Sequence, residues 1–136
     1  MTTPDANVAE IEIARGDGYT AVRFLGKFSV PGFQRRAEAA AQACRDGGTG
    51  RLFVDATAYD VVPTILERYE LASHAVKISA GLRVAVLISQ AFLDPNKFGI
   101  MVAQNRGLTV DAFTDRQEAV DWLLAAPAGD AGRSTS

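Results

Sequence analysis

Residues 51–80, RLFVDATAYDVVPTILERYELASHAVKISA, contain a short strand, a loop and a long helix in sequence. Leu52, Phe53 and Val54 are a continuous apolar run, the pattern of a strand covered on both faces of a sheet. Thr64-Ile65-Leu66-Glu67 is a capping box, in which a hydroxyl and a carboxylate satisfy each other's free backbone N–H groups. It opens a helix running to about Ser79, with Ile65, Tyr69, Ala72 and Val76 on its expected buried face. The loop from Ala56 to Thr64 leaves the carboxyl end of the strand, the edge at which open α/β sheets bind ligands.

Upstream, Val8, Glu10 and Glu12 alternate with Ala9, Ile11 and Ile13, the period of a half-buried strand. Gly16-Asp17-Gly18 supplies a tight turn, and a second alternating run, Tyr19 to Gly26, completes an antiparallel hairpin. Ser29 caps the next helix, with Pro31 in its first turn. Phe33, Ala37, Ala40, Ala41 and Cys44 fall on its inner face, with Arg35, Arg36, Glu38 and Gln42 outside. Asp46 to Gly50 ends it, with glycine in the left-handed position.

Downstream, Gly81 stops the second helix, and Arg83 to Ser89 is another buried strand. Asp94 and Pro95 open a short helix that carries Phe98, Met101 and Val102 inward. Leu108 to Phe113 is the last strand. Thr114-Asp115-Arg116-Gln117 reads as a second capping box, opening a helix with Ala119, Val120, Leu123 and Leu124 inward. The order β-β-α-β-α-β-α-β-α implies one α/β domain over residues 8–125, with a mixed, mostly parallel five-stranded sheet and helices packed on it. Residues 1–7 are expected to be a flexible N-terminus and residues 126–136 a disordered tail.

The totals narrow the function. The chain has 136 residues, 48% hydrophobic and 22% charged, and a formal net charge of -2. It carries no Lys/Arg run that would bind nucleic acid. No apolar run approaches the ~20 residues of a membrane span. The N-terminal MTTPDANVAE lacks the basic and apolar regions of a signal peptide, and Cys44 is the only cysteine. A cytoplasmic protein without a disulfide is expected. Gly47-Gly48-Thr49-Gly50 precedes a strand, whereas a phosphate cradle follows a strand and opens a helix, so no nucleotide loop is expected.

The order of elements, together with particular stretches, resembles a known fold. The carriers are Arg51-Leu52-Phe53-Val54-Asp55, Arg83-Val84-Ala85-Val86-Leu87, Asn105-Arg106-Gly107 before a strand ending at Phe113, Thr114-Asp115, and Glu118 to Leu123. They resemble the STAS-like fold of bacterial anti-sigma-factor antagonists and, more closely, the SpoIIAA-like family of small single-domain proteins, which is related to the lipid-binding CRAL-TRIO fold. That resemblance implies a regulatory or ligand-binding protein. In the antagonists a phosphorylated serine lies nine residues beyond the strand-ending aspartate. The matching position here is Thr64, but Pro63 precedes it and Ile65-Leu66 follow it, so only the hydroxyl of the motif is present.

Two kinds of site follow. Asp55, Thr57, Tyr59 and Asp60 leave the central strand together, and two carboxylates there suit acid–base work or a divalent metal. They also suit an ordinary turn. Phe92, Leu93, Phe98, Ile100 and Met101, with Tyr59, Val61, Val62, Ile65 and Leu66, are more apolar than loops require. They read as a groove for an apolar ligand, a dimer face or plain core. Thr64 is either a phospho-acceptor or simply the helix cap. His74 lacks partners nearby in sequence, and Cys44 reads as an inert small hydrophobe. The expectation is a non-enzymatic STAS-like module, without cofactor or metal, binding a protein partner or itself through the helix at Thr64. The alternative is a small apolar-ligand or lipid-binding protein. An enzyme using Asp55 and Asp60 ranks third.

Overall fold

The computed structural model describes residues 10–125; the expected flexible N-terminus, the start of the first strand at Val8 and the expected C-terminal tail lie outside them. Strands β1 (Ile11–Gly16) and β2 (Tyr19–Phe24) form the antiparallel hairpin, with Gly18 at φ 85° in its turn. Helix α1 (Val30–Gly47), strand β3 (Arg51–Asp55), helix α2 (Ile65–Ile78), strand β4 (Arg83–Leu87), helix α3 (Phe98–Asn105), strand β5 (Thr109–Phe113) and helix α4 (Arg116–Leu124) follow. The strands lie in the order β1-β2-β3-β4-β5, and every pair after the first is parallel. This is the element order and mixed sheet that the STAS-like resemblance implied.

The register separates two faces. Val22, Val54, Val86 and Ala112 pair across the sheet and share one face, since successive residues of a strand point to opposite sides. They pack in the larger core with Ala40, Ala41 and Cys44 of α1, Ala72 of α2 and Ala103 of α3. The intervening rank, Ala21, Phe53, Ala85 and Asp111, shares the opposite face. There Phe53, Ala85 and Leu87 meet Ala119 and Leu123 of α4 in a smaller core. Helix α4 lies on β3, β4 and β5, so Glu12 and Arg23 at the hairpin end of this face remain exposed and pair with each other.

Local sequence explains most boundaries. Ser29 accepts a bond from the Gly32 N–H, a proline occupies the first turn of α1, and Gly48 ends it at φ 76°. Thr64 and Glu67 form both bonds of the capping box at α2. Helix α4 departs from expectation: Asp115, not Thr114, is its cap, accepting from the Glu118 N–H. An aspartate and a threonine stand side by side there, and the chain uses the stronger capper. Helix α3 also starts later than Pro95. Asp94 accepts from the N–H groups of Asn96 and Phe98, forming a turn ahead of the helix, and Lys97 sits left-handed at φ 51° as its first flank.

Three burial expectations are corrected. Arg36 was placed outside α1 yet is buried, and it bonds inward. Ile65 and Tyr69 are exposed, so the inner face of α2 runs instead through Leu71, Ala72, Ala75 and Val76. Met101 and Leu124 are exposed too, with Ile100 and Ala103 turned to the core in α3.

Candidate functional site

The loop after β3 divides its residues between the two faces of the sheet. Asp55 pairs in register with Arg23 and Leu87, which places it on the α4 face. Its Oδ1 accepts from the Thr57 N–H at 3.0 Å and the Thr57 hydroxyl at 2.6 Å. Its Oδ2 accepts from Arg116 of α4 at 2.8 Å, and that guanidinium also lies 4.9 Å from the Phe53 ring. The carboxylate is thus fully engaged in closing a turn and tying α4 to the sheet. Asp60 is exposed beyond Tyr59 and shares none of the bonds that hold Asp55. Among the described residues, no group of three or more His, Cys, Asp or Glu is placed to hold a metal ion.

Tyr59 turns to the other face and is 2% exposed. Its ring lies within 6.5 Å of Phe24, Phe28, Phe33 and Phe92, in one aromatic cluster. Its hydroxyl donates to the Leu25 carbonyl and accepts from Arg36 Nη1 at 2.7 Å. Burial pushes the Tyr59 phenol above its ordinary value, with Arg36 opposing the shift. Arg36 also binds Glu10 at 2.7 Å and the Lys27 carbonyl, so one buried guanidinium gathers β1, the β2 exit, α1 and this loop. The sequence does carry a signal for it: Phe33, Arg36, Ala40 and Cys44 recur at helical spacing on one face. Tyr59 packs inside this cluster, while Phe92, 8% exposed, belongs both to the cluster and to the wall of an apolar cavity beneath α2 and α3.

Leu93, Phe98 and Ile100 of the expected groove are partly buried, and its other apolar residues are on the surface. Val62, Ile65 and Leu66 are 74%, 70% and 65% exposed, and Val61, Tyr69 and Met101 are exposed beside them in sequence or on the adjoining helix. The spacing 62, 65, 66, 69 is one helical face, and in α2 that face turns away from the sheet. Ile65, Val62 and Phe98 line a shallow groove with Leu93, Pro95 and Arg68. Tyr69 is held against α3: its hydroxyl accepts from Arg106 Nη2 at 2.8 Å, the guanidinium lies 5.3 Å from its ring, and this bond lowers its pKa. Thr64 sits at the near end of the patch as the helix cap.

Beneath α2 and α3 lies an apolar cavity of about 140 Å³ that shares Arg68, Leu93 and Asp94 with this groove. Leu71, Ala75, Val86, Ile100, Val110 and Ala112 are among its walls, and Arg68, Asp94 and Lys97 are its charged lining. Backbone bonds from Phe98 and Asn96 hold the Asp94 carboxyl below its ordinary value of 3.8.

The other candidates have structural partners. His74 pairs with Glu38 at 2.7 Å, joining α2 to α1. Cys44 is fully buried, and burial raises its pKa, so the thiol is kept from its reactive form. Sequence reading missed Arg83, which is buried, stacks 3.8 Å from the Trp122 ring and donates to the Trp122 carbonyl.

No family model matches the chain, and no curated protein matches it. Among solved structures it is similar to an uncharacterised protein of the DUF3478 family with a SpoIIAA-like fold, from Shewanella loihica PV-4. That likeness is 20% identity over 85% of this chain and 94% of the other, with a TM-score of 0.49.

Proposed function

We propose that the chain is a non-enzymatic interaction module that docks another folded chain, in the simplest case a second copy of itself, through the face of α2 that begins at Thr64. The observation that carries this is the concentration of exposed large apolar side chains in residues 61–69, with Met101 on the helix packed beside α2. Six of the eight among the described residues are Val61, Val62, Ile65, Leu66, Tyr69 and Met101. Scattered apolar residues are normal on a surface, whereas a contiguous patch marks an association site. The capping box fixes the start of the helix, and the Tyr69–Arg106 contact fixes its far side. The patch is thus pre-ordered, which lowers the entropic cost of binding. Charges of both signs surround it (Glu67, Glu70, Arg68 and Arg106), and the whole chain carries only -2, so two copies repel each other little.

The test is the mass of the chain in solution across a wide concentration range. Self-association should appear and should be lost in Leu66→Asp, whose circular dichroism and melting stay those of the parent. A chain that is monomeric at every concentration, with Leu66→Asp indistinguishable from it, contradicts the proposal.

A further inference from the structure

The cavity under α2 and α3 borders the docking face, sharing Arg68, Leu93 and Asp94 with the groove beside Val62 and Ile65, but none of the exposed apolar side chains of that face lines it. Its volume of about 140 Å³ is close to the ~150 Å³ of an apolar protein cavity that stays dry and takes up benzene. It therefore suits an apolar body of roughly six heavy atoms. Small side chains create the space: Ala72, Ala75, Gly99, Ala103 and Ala112 stand where larger residues would fill it. A Cβ at Gly99 would lie 3.4 Å from the Arg68 carbonyl, so glycine allows α3 to approach α2 along this wall.

The three charged groups in the lining are not equivalent. Lys97 is committed to Asp111 at 2.9 Å and to the Ala112 carbonyl. Asp94 is committed to the N–H groups of Asn96 and Phe98. Arg68 donates from Nε to the Pro63 carbonyl at 3.2 Å and from Nη1 to the Phe92 carbonyl at 2.9 Å. Its Nη2 has no partner among the described residues, and it forms no ion pair with any described carboxylate. Two carbonyl bonds hold this half-buried guanidinium in place, with one edge left to donate. We infer that the cavity binds a small monocarboxylate whose compact apolar body fills the space and whose carboxylate meets Arg68 Nη2. A charge-assisted bond to a fixed guanidinium is among the stronger polar contacts available. Asp94 is the opposing influence, since its charge lies near Arg68 and would favour a cation.

The experiment titrates the full chain with benzoate, benzyl alcohol and benzylamine, which share a ring and differ in the polar group, following binding by calorimetry and ligand-observed NMR. Benzoate should bind tightest. Arg68→Gln should weaken benzoate at least about tenfold, the loss of one charge-assisted bond, while leaving benzyl alcohol unchanged. Ala75→Leu, which fills the cavity without touching Arg68, should abolish binding of all three and raise the melting temperature. Equal or tighter binding of the alcohol or amine overturns the carboxylate assignment. Absence of saturable binding by any probe overturns the site itself. Neither result bears on the docking face, which is read from association.

Discussion

Helices α1 and α2 both cross from one parallel strand to the next on the same face of the sheet, yet they use their apolar residues in opposite ways. Helix α1 buries Ala40, Ala41, Ala43 and Cys44 along with Gly32 and Arg36. Its larger side chain Phe33 enters an aromatic cluster, 5.1 Å from Phe24 edge to face. Helix α2 buries Ala72 alone and presents Ile65, Leu66 and Tyr69 to solvent. Small residues let α1 lie close to the sheet, so it has no large apolar group left over. Helix α2 meets the core through Leu71, Ala75 and Val76 further along, while Ile65, Leu66 and Tyr69 of its first turns stay exposed. A helix with two apolar faces, only one of them needed for folding, has the other available for binding.

The largest effect expected from breaking this contrast is on the α1 side. Phe24→Ala removes a ring that is 1% exposed and contacts Phe33 and Tyr59. It should cost about 3–5 kcal/mol in chemical denaturation. Tyr59→Phe should cost about 1–3 kcal/mol, because Arg36 Nη1 loses its closest acceptor while buried, and Arg36 Nε already lacks one. The ring cluster persists in that variant, so far-ultraviolet circular dichroism should hardly change.

On the α2 side the effects are smaller. Thr64→Ala removes the cap and should cost about 1 kcal/mol; Thr64→Ser should restore most of it, because the hydroxyl that accepts from Glu67 is kept. The double change Ile65→Ser, Leu66→Ser should shift monomer stability by no more than about 0.5 kcal/mol, measured at a concentration where no association occurs. A loss as large as that of Phe24→Ala would mean these side chains belong to the fold and not to a docking face.

The fold was legible in the sequence because its signals are local. Alternation from Ile11 to Phe24, the continuous run Leu52-Phe53-Val54, and caps at Ser29 and Thr64 each declare an element without reference to the rest of the chain. The site was less legible because it depends on which side of the sheet each loop residue takes. Asp55 and Tyr59 are four residues apart and lie on opposite faces, one held by Arg116 and Thr57, the other by Arg36. Both of those arginines come from distant helices, and no spacing within the loop foretells them. The apolar loop residues divide among a buried aromatic cluster, the wall of the cavity and an exposed patch. Periodicity alone does not distinguish these, since Ile65 and Tyr69 fit a buried face as well as Ala72 does. The cavity was legible only in part: Phe92, Leu93 and Ile100 among the apolar loop residues line it, but the small residues that open it, such as Ala75, Ala103 and Ala112, converge from separate elements.

We propose, then, that the exposed face of α2 is where this chain meets another. The most direct test is a series of amide NMR spectra of the wild-type chain at rising concentration. The perturbed amides should cluster at residues 61–69 and on α3 around Met101, and the changes should vanish in Leu66→Asp. Spectra that do not change with concentration, or perturbations along the unpaired edge of β1 in place of α2, would contradict it.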